Sequence, residues 1–550
     1  MKLPDADSLR WLAVALALAA LVRLLGLCWG LPYTPNADEP HIVDLAVSFG
    51  AGTLRPYAFK YPTLWPYLLF FLYGLYFLAW SLFGLRRSVA DFAVLFAWHP
   101  GGFYLIARLA AAVFSLAAPL VLWRMEKDRP LAALLLAFSP VVVVEAHSGK
   151  PDTLMFLFSC AAWGFALRVL RRGARRDYWL CGTLLGLAAT SQFTALPACA
   201  VLPLAALLRP GKTDWRFLAE GIACGAAAFL LGSPYALIEP RFFLSWLGGA
   251  GSYAASAASI WKPGPFLAYT ARTLGDFAGP FSIGGALALL GLFVRPRGGG
   301  RRALLLALPV LAYAALLSSP LAAGARNPRY LFAVLPAWAL LAADGFEALK
   351  SATPRRAWIW LAALIVLPGL ALDLSRDAKM RAPDPRAQAA DWIRAHVPEG
   401  TALLMDVPHA CPHLVMVRPE VEELARRTAA SGSPRARLYR AMAAGHPGGG
   451  YRIYRIERTA LDLGTLPKIV ALSQADAPML DVRAGLAPAR AAGVRWVVLS
   501  SFGARPETSP ELAGFFSALK TGATLAKVFP ASSRFWPTIE IYELNGGRRA

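Results

Sequence analysis

LPYTPNADEPHIVDLAVSFGAGTL, residues 31–54, follows directly on the first long apolar run of the chain. Asp38, Glu39 and Asp44 stand together where that run ends. Working outward, the segment before them, MKLPDADSLR and then apolar residues to about Leu31, is too long for a cleaved leader and has no small-residue cleavage site. It predicts a retained membrane helix, and the acids then lie at a membrane surface.

The rest of the composition agrees. Of 550 residues 57% are apolar and only 16% charged, with a mean hydropathy of +0.47, which lies outside the range of soluble globular domains and predicts an integral membrane protein in a lipid bilayer. A net charge of +22 would suit nucleic acid as a partner, but Arg and Lys fall in short clusters between apolar runs, where they read as topology signals. No nucleic acid is expected. Cys28, Cys160, Cys181, Cys199 and Cys224 lie in apolar runs and Cys411 stands alone, so there is no disulfide framework.

Apolar runs long enough to cross a bilayer, about 17–25 residues, recur at 11–30, 62–84, 102–123, 130–146, 153–170, 178–208, 217–235, 272–294, 303–319, 331–348 and 357–374. The run 178–208 holds two short passes if it turns near Thr190–Thr194. Five connections are basic: 123–129, 171–176, 209–216, 295–302 and 350–356. Cytoplasmic loops collect Lys and Arg, so these are expected inside, and 31–61, 147–152, 192–195, 234–240 and 323–330 outside. Parity then allows only one of 62–84 and 102–123 to cross. Segment 62–84, with Pro62, Pro66 and a dense set of aromatics from Trp65 to Phe83, suits a helix lying in the interface. The expected fold is an α-helical polytopic membrane protein with about 11 transmembrane helices, interfacial helices in the first outer loop, and the N-terminus inside.

From about Ser375 the composition turns polar and the pattern alternates. Helices are expected in 384–400, 419–431, 486–493 and 509–522, and strands in 401–407, 451–457, 495–501 and 538–544. The chain thus divides into a transmembrane module, 1–375, and a soluble extracytoplasmic α/β domain, 376–550.

With this topology the unusual polar residues gather on the outer side: Asp38, Glu39, His41, Asp44, Arg55 and Lys60; Arg108; Glu145, His147, Lys150 and Asp152; Arg326, Arg329 and Tyr330. Any one of these reads alone as a snorkelling side chain or local ion pair, and Asp38–Glu39 reads alone as an N-terminal cap for a helix beginning near Pro40. As a set they have a chemical interpretation. A carboxylate can take the proton of an acceptor hydroxyl while Lys and Arg hold a phosphate, and a lipid-linked phosphate places its head at this depth.

Five stretches in this order resemble one known family: ADE after the first helix; GTLRPYAFKYPTL (52–64); YLIARLAA (104–111); SPVVVVEAHSGKPD (139–152); and RYLFAVLP (329–336). They look like the GT-C membrane glycosyltransferases, most like family 39, which includes the protein O-mannosyltransferases and the lipid A aminoarabinose transferases. The resemblance covers about residues 10–375, and DPRAQAADWIRAHVPEG is similar to the extracytoplasmic domains of bacterial members. It implies inverting transfer of a sugar from a polyprenyl phosphate to a protein, lipid or glycan acceptor at the outer face of a bacterial inner membrane. Asp38, with Glu39 beside it, would act on the acceptor hydroxyl; Lys60, Arg108 and Arg329 would face the donor phosphate; His41, His147, Lys150, Asp152 and Tyr330 would contact substrate. The chain departs from the family at Gln192-Phe193, where many members carry Lys-Tyr.

No cofactor follows from these motifs, and a divalent metal, though compatible with them, is not signalled, because Asp38–Glu39 is not a D-x-D. HACPH (409–413) spaces His409, Cys411 and His413 two apart, but Pro408 and Pro412 interrupt any strand and a fourth ligand is not evident. The alternative function is a transporter or flippase of lipid-linked sugars, which would need polar groups at the bilayer midplane and discontinuous helices matched in two halves. A non-catalytic scaffold would leave Asp38, Lys60 and Arg108 without a role.

Overall fold

The computed structural model describes residues 6–36, 38–84, 87–257, 263–275, 283–293, 299–319, 327–351, 354–406, 409–433, 435–457, 473–503 and 509–544. Arg326 and Arg86 lie outside them. The chain forms two units, neither continuous in sequence: Met1–Leu27, Leu54–Leu69 and Ala107–Asp377 make the first, and Cys28–Thr53, Phe70–Ile106 and Ala378–Ala550 the second.

Among the described residues the regular elements of the first unit are all helices. Its core is made of apolar side chains from 118–218, 287–317 and 331–365, among them Trp163, Tyr178 and Phe332. Two helices, Arg175–Ser191 and Trp215–Gly232, touch backbone to backbone. A Cβ added at Gly182 would lie 1.8 Å from the Gly221 carbonyl oxygen, and one at Gly186 would lie 2.1 Å from that of Gly225. This is small-residue packing at four-residue spacing, the means by which helices associate where no hydrophobic force distinguishes them from lipid.

Among the described residues two of the long apolar runs are seen to be broken. The run 178–208 turns where it was expected to: the first helix stops at Ser191, Gln192 is extended (φ −150°, ψ 128°), and a 3-10 segment Phe193–Ala200 leads into Val201–Leu208. The Tyr313 hydroxyl fastens this break, donating to the Thr194 carbonyl at 2.7 Å and accepting from the Ala198 amide at 3.2 Å. The run 130–146, expected as one pass, is instead two short helices, Pro130–Ala137 and Pro140–Ala146. Ser139, extended ahead of Pro140 (ψ 119°), separates them, because a residue before proline is driven out of the helical region.

Among the described residues five helices are long and apolar enough to cross a membrane: Leu64–Phe83, Gly101–Met125, Asp152–Arg171, Trp215–Gly232 and Gly299–Leu317. Leu64–Phe83 is on this roll although the sequence suggested an interfacial position; its length and composition allow either. Shorter apolar helices are Ala13–Leu24, Val89–Trp98, Phe193–Leu208 and Ile283–Phe293.

Connections sorted by charge in the sequence are sorted in space as well. At one end Trp65 Nε1 donates to the Gly149 carbonyl at 3.0 Å, Thr63 Oγ1 to the Gly232 carbonyl at 2.9 Å, and Arg55 makes a two-pronged bond to Glu239 at 2.5 and 2.7 Å. At the other end Glu126 takes Arg171 and Arg302, and Asp344 takes Arg129 and Arg302. Helix Asp152–Arg171 runs from the first group to the second, about 30 Å for its 20 residues.

The second unit is built on a six-stranded sheet of order β3-β2-β1-β4-β6-β5, with β1 Ala402–Met405, β2 Arg452–Ile456, β3 Met479–Leu480, β4 Val494–Ser500, β5 Ala523–Phe529 and β6 Ile539–Leu544. β1 to β4 are parallel, and β6 runs antiparallel to both of its neighbours, β4 and β5. Leu404, Val497, Leu512 and Phe515 are in its core. Segments from early in the chain fasten to it. Trp98 Nε1 donates to the Met442 carbonyl at 3.2 Å, Arg437 Nη1 to that of Ala51 at 2.9 Å, and Arg386 Nη2 to that of Tyr33 at 2.9 Å.

Candidate active site

In the second unit the stretch from Tyr33 to Ser48 folds as a loop and a helix, Glu39–Ser48, with Pro40 in its first turn. Pro40 lacks an amide hydrogen that the helix would leave unsatisfied there anyway. Asp38 occupies the N-cap position in helical geometry (φ −88°, ψ −32°), and its side chain makes no capping hydrogen bond. Its amide instead donates to Asn36 Oδ1 at 2.9 Å. The capping reading of the acidic pair therefore does not describe Asp38, a partly exposed residue. Glu39 is the sealed member, fully buried and accepting from the Thr34 hydroxyl. His41 is half-buried on the same helix. Asp44 is fully buried with no hydrogen bond to either carboxylate oxygen. Burial pushes its carboxyl well above the usual range, and Arg435 offsets this only in part.

Tyr33, five residues before Asp38, also lines a cleft of about 630 Å³ with Trp80, Arg87, Trp98, His99 and Pro447. On its far side the Tyr33 ring stacks on His413. Among the described residues no three or more His, Cys, Asp or Glu are placed to hold a metal ion. In HACPH, His413 has its pKa drawn down to about 3 by burial and by Arg394 and Arg386, and Cys411 is buried.

In the first unit the cations are held one by one. Arg108, two turns into Gly101–Met125, is fully buried and donates from Nη1 to the Leu27 carbonyl at 2.7 Å. Lys60 lies over the Tyr61 ring, 5.6 Å from its centroid. Arg329, on a 3-10 turn started by the Asn327 side chain, has Nε 3.8 Å from Asp152 Oδ1 and its guanidinium 5.4 Å from the Tyr330 ring centroid. Asp152 opens helix Asp152–Arg171, where a carboxylate is favoured by the helix dipole. Lys150 Nζ meets Glu145 Oε2 at 2.5 Å. His147 lies 2.9 Å from the Val143 carbonyl through Nδ1 and 3.3 Å from Asp377 Oδ1 through Nε2.

The structure thus joins Asp152 with Arg329 and Tyr330, Lys150 with Glu145, and His147 with Asp377. Asp38, Glu39 and His41 belong to the other unit. Sequence reasoning passed over Arg23, Asp373, Arg376 and Asp377. The signal was available: ionisable residues inside or at the end of apolar runs are costly and seldom idle.

Residues 93–237 match the family model described as dolichyl-phosphate-mannose-protein mannosyltransferase. That segment holds Arg108, His147, Lys150 and Asp152. Among solved structures the chain is similar to ArnT from Cupriavidus metallidurans in the apo state, with 16% identity, 98% of each chain covered and a TM-score of 0.51. The structure of the same protein bound to undecaprenyl phosphate matches at 16% identity, 96% and 98% coverage and a TM-score of 0.48. The Archaeoglobus fulgidus oligosaccharyltransferase follows at 14% identity, 89% of this chain and 67% of that one, with a TM-score of 0.46. No curated protein sequence matches. The chain therefore has the GT-C glycosyltransferase fold, with residues 93–237 carrying the pattern of the dolichyl-phosphate-mannose-protein mannosyltransferase family.

Proposed function

We propose that the protein is an inverting glycosyltransferase that moves a sugar from a polyprenyl-phosphate donor to an acceptor at the extracytoplasmic face of a bacterial inner membrane. Asp38 takes the proton of the acceptor hydroxyl as its oxygen bonds to the anomeric carbon. The bond from that carbon to the phosphate oxygen breaks, and the polyprenyl phosphate leaves with a second negative charge. Lys60, Arg108 and Arg329 face that growing charge, with Asp152 holding Arg329. Lys150, Tyr330 and His41 contact substrate, and Glu39, sealed against Thr34, fixes the loop that carries Asp38.

The observation that carries this reading is Asp38 itself, a partly exposed acidic residue at a helix N-terminus whose side chain does not cap the helix. The ArnT structure with undecaprenyl phosphate supplies the donor class to be tried. Purified protein incubated with a series of polyprenyl-phosphate sugars should release polyprenyl phosphate and glycosylated product, read by mass spectrometry. Movement of intact donor across the bilayer with no cleavage would favour the flippase instead.

A further inference from the structure

We propose that His147, whose Nε2 faces Asp377, takes up a proton when a phosphate dianion settles beside Arg108, the Asp377 carboxylate then accepting from the imidazolium and so acting as a positioning residue of the donor site. The inference rests on the glycosyltransferase reading above and adds a residue to it.

The geometry fixes where the proton goes. Val143 offers a carbonyl oxygen, an acceptor only, so Nδ1 of His147 carries the hydrogen of that 2.9 Å contact. Nε2 is then the basic nitrogen, and it faces Asp377 Oδ1 at 3.3 Å. Both side chains are almost wholly buried. Cations stand around them on several elements. Arg23 on the first helix is pinned by Ser115 Oγ at 2.9 Å and the Ala137 carbonyl at 2.8 Å. Arg108, on Gly101–Met125, acts on the ring through its charge. Arg376 on helix Arg355–Met380 is tied to the Pro140 carbonyl at 2.6 Å. Asp373 and Asp377 of that helix supply negative charge, and Glu145, Lys150 and Asp152 flank the imidazole on its own segment.

Burial, with Arg23 and Arg108 acting on the ring, draws the His147 pKa down to about 4. Without a dianion the imidazole is therefore neutral at pH 7. A phosphate dianion against Arg108 cancels that cation's field at the ring and adds negative charge. The sign of the local field reverses, and the imidazolium, paired with Asp377, becomes the stable form. In the reaction a phosphodiester of charge −1 becomes a monoester of charge −2 as the bond to the anomeric carbon breaks. His147 takes its proton from solvent while the acceptor's proton goes to Asp38, so no proton is counted twice.

The test is calorimetric titration of undecaprenyl phosphate into the full-length protein in nanodiscs, in buffers of different ionisation enthalpy across pH 5.5–8.5, which yields the protons taken up on binding. Wild type should take up several tenths of a proton more than His147→Gln at pH 7. Asp377→Asn, lacking the carboxylate that stabilises the imidazolium, should show its uptake at lower pH than wild type. Equal uptake in wild type and His147→Gln, or an unshifted profile in Asp377→Asn, overturns the inference while leaving the glycosyltransferase reading standing. If His147→Gln does not fold, the Asp377→Asn profile decides alone. A wild-type protein that does not bind undecaprenyl phosphate sinks the functional reading and this inference with it.

Discussion

The two ends of the helical unit both bury carboxylates against arginines, but they do so differently. At the basic-loop end Asp344 and Glu126 are closed by Arg129, Arg171 and Arg302, with Arg302 reaching both at 3.0 and 3.2 Å. At the opposite end Lys150–Glu145 and Arg55–Glu239 are closed at 2.5 Å, but Asp152 meets Arg329 only at 3.8 Å, and Asp377 meets His147 at 3.3 Å. Buried charge is costly unless compensated at short range. The closed end spends its charges on joining helices, whereas the looser end keeps cations whose fields a bound anion would complete.

The largest effect should come from the proposed base. Asp38→Asn keeps size but loses the base, which lowers turnover by about 10²–10⁴-fold with donor binding intact. Near-normal turnover at saturating donor would remove Asp38 from the chemistry.

The contrast between the ends is sharpened by a matched pair of substitutions. Asp344→Asn leaves Arg129 and Arg302 facing each other without their shared partner and should cost about 3–5 kcal/mol of stability. Asp152→Asn should cost about 1 kcal/mol or less yet weaken undecaprenyl phosphate binding through Arg329. Thermal unfolding and binding of the two variants check this together; equal destabilisation would mean the ends are alike.

Asp44→Asn should stabilise. Because the folded pKa is raised, the native state binds more protons than the unfolded chain, whose Asp titrates near 3.9, so wild-type stability falls as pH rises above about 4. The variant escapes that loss, so its advantage grows as pH rises above about 4 and is small below it. A melting difference that does not grow with pH would show that Asp44 is ionised in the fold.

Arg87→Cys should change neither folding nor activity and reports position only. In a background without native thiols it should react with an impermeant reagent from outside if Leu64–Phe83 lies in the interface. Reaction only after the inner face is opened would make that helix a crossing one.

The sequence revealed periodicity and charge sorting well. The turn at Gln192, the helices around 385–396 and 418–430, and strands β1, β2, β4 and β6 all lie where local pattern and turn residues placed them. Strand β5 was missed because it follows helix Ala513–Gly522 without an intervening turn residue and leaves most of its side chains exposed. Helix Ala436–Ala444 was missed beside the Gly-rich stretch that follows it. In the site, the acids and cations are legible as residue types, but their partners are not. Asp377 sits more than 200 residues from His147, and no local pattern couples positions at that distance.

The glycine contacts between Arg175–Ser191 and Trp215–Gly232 bear on how the molecule comes apart. Where two backbones meet with no side chains between them, there is nothing to repack, and weak Cα–H···O attractions along the seam are lost together or not at all. Under rising detergent this parallel helix pair should behave as a single strut, the last tertiary element to separate. Any side chain placed at Gly182 or Gly186 would act as a wedge driven along its length.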